Sequence, residues 1–218
     1  MIVAARLAAL SAFVCALVLY APGIAFADCA YSPNLCPMYG GIEKTDEMIA
    51  ADEAFIAKTE EMGLSHREGA EISIALGWKY FLRGDPNTGM SRFNQAWILD
   101  PENGDIYHGM AAIVADRDRD IAASEALFQK AMAQPRHSPV VYADYGYFLI
   151  QTGKADEAAA FLQGKIKEFP GQLNLRYNRA IALLVQGKKE QACEAGREAK
   201  QAGDPVQDGF LVDACGMN

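Results

Sequence analysis

Apolar and small residues recur along the middle of this chain with two periods. Within short segments they fall at three- and four-residue steps, the spacing of one helix face. Over longer distances the same arrangement returns about every 34 residues. The clearest copy spans 70–103: Leu76 and Gly77 together, Tyr80 three on, a break at Gly84, then Gly89, Phe93, Ala96 and Pro101. Two amphipathic helices pack closely when small residues sit where the backbones approach and large ones fill the space beside them. The pattern predicts such a hairpin, with Gly84 stopping the first helix, Pro86 in the first turn of the second, and Pro101 ending it.

One hairpin cannot bury its own apolar face, so neighbours are expected. A third copy from Pro139 supplies Tyr142, Tyr145, Gly146, Leu149, Gly153, Ala158, Leu162 and Pro170, with Lys165 at a usually small position. A fourth from Leu173 supplies Ala180, Leu183, Gly187, Ala192 and Ala199, with Arg176 and Arg179 at usually apolar positions. Between them a weaker second copy starts at Gly104 (Tyr107, Met110, Ala111, Val114), and its second helix (Ser124, Phe128, Ala131) fits only if the turn from Asp116 to Asp120 is one residue longer than standard. Upstream, Met48, Ile49, Ala51, Phe55, Ile56 and Met62 predict a leading helix over about 46–62. Gly63 closes it, and Ser65 with Glu68 is a capping-box signature for the next helix.

Over 70–201 these positions resemble the tetratricopeptide repeat (TPR) family, whose pattern is L-G-x2-Y, then a small residue, an aromatic and a closing proline. The resemblance implies an all-α, right-handed solenoid of about four helix-turn-helix repeats, with the leading helix as its N-terminal cap. The solenoid, leading helix included, is expected over 46–203 and a C-terminal tail over 204–218. The segment from Leu76 to Pro101, together with Pro37-Met38-Tyr39-Gly40-Gly41 upstream, is similar to a group of exported proteobacterial TPR proteins with no assigned activity.

The N-terminal stretch fits export. Arg6, an apolar run from Leu7 to Ala21, and Ala25-Phe26-Ala27 before Asp28 read as a signal peptide over 1–27. The run is short of the ~20 residues that span a bilayer. An irregular segment rich in Pro and Gly follows over 28–45. Four cysteines remain beyond the leader, Cys29, Cys36, Cys193 and Cys215, an even number suited to an oxidising compartment. Three pairings are possible, and proximity favours Cys29 with Cys36, closing the N-terminal segment, and Cys193 with Cys215, tying the tail to the last repeat. The formal net charge of −8 argues against nucleic acid or an anionic membrane surface as partner, so any membrane contact is expected only through a partner.

The chemistry of catalysis is sparse. His66, His108 and His137 are not at metal-ligand spacing, and neither a nucleophile elbow nor a phosphate loop occurs. The run Asp116 to Asp120 alternates carboxylates with arginines, but Ile121 and Leu127 stand where a calcium loop needs Gly and Glu, so it reads as a solvated turn. Neither an enzyme nor a cofactor is expected.

The TPR resemblance implies instead a concave groove lined by the first helices. Residue by residue it points to Ile74, Trp78 and Phe81 in the first repeat, and to Asp105 and His108 in the second, with Ala112, Ala115 and Asp116 beside them. In the third it points to Tyr147 and Gln151, and in the fourth to Asn174, Tyr177 and Asn178, the last at a place where the family often holds a peptide backbone. The lysine and asparagine clamp for acidic tails is absent: Ile74 and Trp78, His108 and Ala112, or Ala143 and Tyr147 occupy its slots. The expectation is a periplasmic adaptor that binds a peptide or helix of another envelope protein through an aromatic groove. The alternative is a structural or assembly component of an envelope complex such as a pilus, secretin or cell-wall machine.

Overall fold

The computed structural model describes residues 32–216. The expected signal peptide and Cys29 lie outside the described residues. After two short 3-10 turns, Pro33–Leu35 and Pro37–Gly41, the helices follow in order: α1 Asp46–Glu61, α2 His66–Leu82, α3 Pro86–Leu99, α4 Gly104–Ile113, α5 Ile121–Ala133, α6 Val140–Gln151, α7 Ala155–Glu168, α8 Leu175–Val185, α9 Lys189–Gln201 and α10 Asp208–Cys215. Helices α2 to α9 form four consecutive hairpins.

Local chemistry sets the boundaries. Thr45, Asp85, Asn103 and Asp120 each accept a backbone N–H of the helix they precede, and Ser65 and Glu68 form the reciprocal capping box. The first helices of repeats one and three end on Gly84 and Gly153, both at φ +81°, a conformation open mainly to glycine. In the second repeat the extra residue is absorbed by a π-helical turn, Val114–Asp118, and Arg119 then takes a left-handed conformation at φ 57°. This turn is tied down rather than simply solvated. Arg117 donates to Asn87 Oδ1, to both Asp118 carboxylate oxygens, and to the Leu35 carbonyl.

The core follows the small-large pattern. Phe93 is fully buried, and a Cβ added to Gly77 would lie 2.8 Å from its ring and one added to Gly109 only 2.0 Å. Gly146 does the same for Leu162, at 2.4 Å. The ends are covered by α1, whose buried Thr59 sits under Gly69, and by α10, whose Phe210 packs on Gly196 and on Tyr177.

The irregular segment before α1 is anchored on the second helices. Asn94 of α3 is fully buried. Its Nδ2 donates to the carbonyls of Asn34 and Cys36 at 3.0 and 2.9 Å, and its Oδ1 accepts the Met38 N–H at 2.9 Å. Met38 and Tyr39 adopt left-handed backbones (φ 51° and 57°), a conformation that costs about 1–2 kcal/mol per residue without such support. Tyr39 meets Trp97 edge-on and donates to Asp52, and burial followed by that contact pushes its hydroxyl pKa well above the usual phenol range. Asn94→Ala should release this strap, a local loss of about 1–3 kcal/mol from three unmade hydrogen bonds. Amide exchange of Leu35, Cys36, Met38 and Tyr39 should accelerate while α6–α9 keep their protection; unchanged exchange at the strap would contradict the anchor.

Candidate functional site

Side chains of α2, α4, α5 and α6, with the turn that follows α4, line a concave cavity of about 510 Å³. The second repeat contributes the small Ala112 and Ala115 together with Asp116, Arg119, Ile121 and Phe128. Trp78 and Phe81 form one wall, with ring centroids 6.0 Å apart, and Tyr147, Phe148 and Gln151 the other. Trp78 is held from behind, edge-on to Phe93 at 5.7 Å and to His108 at 4.9 Å. Tyr147 is 46% exposed despite its size, and its ring lines the cavity.

Seven expected residues, Trp78, Phe81, Ala112, Ala115, Asp116, Tyr147 and Gln151, thus share one concave cavity. Ile74 and Asp105 line a second one, about 760 Å³, near the N-terminal ends of the same helices. In that larger space Arg67 pairs with Glu71, Arg136 holds Asp100 through two hydrogen bonds, and Asp105 accepts the Ser138 N–H through Oδ1 at 2.7 Å. His137 there donates from Nδ1 to the Gln134 carbonyl, and its Nε2 lies 2.7 Å from the Tyr142 hydroxyl.

The remaining expected residues are corrected. His108 is only 3% exposed; it lies beneath the cavity, between Trp78 and Phe128, and donates from Nε2 to Asp144 Oδ2 at 2.8 Å. Tyr177, 7% exposed, packs edge-on against Phe210 rather than facing a ligand, because α10 folds back over it. Asn178 does hold a backbone carbonyl, but that of Ala143 in this chain, at 2.8 Å. Asn174 takes a left-handed turn (φ 69°) at the start of α8 and makes no cap. Its role falls to Asp204, a buried carboxylate that accepts the Tyr177 N–H at 2.9 Å.

Sequence reasoning missed Asp144, Arg119, Ile121 and Phe128 at the cavity. Neither the strap of residues 33–41 nor α10 lines this cavity. Cys193 and Cys215 are bonded to each other, as proximity favoured. Cys36 is also disulfide-bonded, with its expected partner Cys29 outside the described residues. Among the described residues no group of three His, Cys, Asp or Glu side chains is placed to hold a metal, and no helix is long and apolar enough to cross a membrane.

No protein-family model and no curated protein matches the chain. Solved structures do. The Pseudomonas aeruginosa protein pilF, known from its functional characterisation, superposes with a TM-score of 0.62 at 20% identity, over 69% of this chain and 68% of its own. YrrB, described as a TPR protein with an unusual peptide-binding site, superposes with a TM-score of 0.52 at 17% identity, over 75% of this chain and 81% of its own. With four stacked helical hairpins, glycines at the close approaches and these structural neighbours, the described chain has the all-α solenoid fold of tetratricopeptide repeat proteins.

Proposed function

We propose that this chain is a non-catalytic protein-interaction adaptor that holds a peptide or helix of another envelope protein in its concave groove. The observation that carries this reading is the open cavity walled by Trp78, Phe81 and Tyr147, with alanines as its floor and neither of the described chain ends lining it. Partly exposed aromatics around a recess are the usual anchors of a protein interface. The peptide-binding site of YrrB on the same fold is consistent with that use. An exported, periplasmic location is supported by the leader-like sequence over 1–27 and by the Cys193–Cys215 disulfide, since such bonds persist in oxidising compartments.

Tyr147→Ala with Gln151→Ala tests the groove without touching the core, because both side chains are exposed. Thermal stability should change by less than about 0.5 kcal/mol, while affinity capture from an envelope extract should lose the partner that the unmodified protein retains. Capture unchanged by the double substitution would move the binding surface elsewhere.

A further inference from the structure

Resting on the groove reading, we infer that the anchor this cavity takes from its partner is a cationic side chain, seated between aromatic walls and neutralised by Asp116 and Asp144. Both carboxylates line the cavity, and neither is fully satisfied among the described residues. Asp144 is bonded through Oδ2 alone, to His108, and its Oδ1 has no partner among the described residues. The Asp116 side chain has none among the described residues; its backbone carbonyl is engaged, by Arg119 Nε.

Covering this cavity with a purely apolar segment would strip water from two carboxylates and return nothing, which is costly. A guanidinium or ammonium supplies donors for such carboxylates and is attracted to the faces of aromatic rings such as Trp78 and Phe81 by the ring quadrupoles. The floor of Ala112 and Ala115 leaves room for a long side chain to reach that depth. Arg119 is the one opposing charge on the lining. It is exposed, and its guanidinium is held on the turn backbone through Nε, which donates to the Asp116 carbonyl, while it pairs with no carboxylate among the described residues.

His108 makes the arrangement specific. Buried between Trp78 and Phe128 and bonded to Asp144, it ties the acid to the aromatic wall, so charge and ring face are held in one geometry. It acts as a positioning residue, beneath the ligand rather than against it.

The test is a titration of the disulfide-intact protein with N-acetyl-arginine amide, followed at the indole N–H of Trp78 by NMR. N-acetyl-citrulline amide, the same shape without the charge, is the control. Trp97, which packs on the strap, is the internal reference. A saturable shift at Trp78 only with the arginine probe is expected, and it should weaken roughly tenfold in Asp116→Asn/Asp144→Asn, given the strength of hydrogen bonds to charged groups. Asparagine at 144 still accepts from His108, so the fold is preserved, which a melting curve checks.

Equal binding of citrulline, no saturable shift in the unmodified protein, or binding unaffected by the double substitution would each overturn the inference. Its failure is separable from that of the groove itself. A partner captured equally by Asp116→Asn/Asp144→Asn but lost by Tyr147→Ala/Gln151→Ala would leave an apolar groove standing and remove the cation from it.

Discussion

Phe93→Ala should destabilise the protein by about 3–5 kcal/mol, the cost of emptying a fully buried aromatic site, and lower its melting point by roughly 10 °C or more. The ring is wedged between two glycines, Gly77 of its own repeat and Gly109 of the next, so it seals both the first hairpin and the joint between repeats. Neither glycine has a side chain to collapse into the space. The loss should reach the groove as well, because Trp78 rests edge-on against this ring. Phe93→Leu, which keeps most of the volume, should recover more than half of the lost stability. A melting point unchanged in Phe93→Ala would contradict the repeat packing at its centre.

The second large effect is expected at the other end. Removing the Cys193–Cys215 bridge as Cys193→Ala/Cys215→Ala should cost about 3 kcal/mol, from the entropy of the 22-residue separation that it closes. The consequence is sharper than the number, since the bridge holds α10 where Phe210 covers Tyr177. The linker it constrains also carries Asp204, which supplies the α8 N-terminus with the cap that Asn174 cannot give. Amide exchange should therefore rise first across α8, α9 and α10, with repeats one and two protected. Uniform loosening of the whole chain would show that the repeats unfold as a single unit.

The repeat framework was legible because each element needs a local signal. Ser65 with Glu68, Pro86, Gly84 and the Gly77–Phe93 pair all act within one hairpin, and short-range spacing records them. The extra residue of the second repeat was legible as a misfit, although its resolution as a π turn was not. What the sequence hides are contacts made by distant segments. Asn94 looks like any polar residue on a second helix until the strap arrives from some 60 positions away. Gly109 shows its purpose only against a ring from the preceding repeat. Tyr177 and Asn178 occupy groove slots by register, yet the fourth repeat is the last, and a final repeat must turn part of its lining into the seat of a cap. Arg176 shows the same shift, donating to the Pro170 carbonyl where the pattern expects an apolar residue.

The two terminal helices also constrain assembly. A bare solenoid presents complementary surfaces at its ends, and copies that stack head to tail through them propagate into open filaments. Here α1 occupies one such surface and the disulfide-fastened α10 the other. Continuation of the superhelix from one molecule into the next through these two hairpin surfaces is blocked, so self-association would have to use other faces.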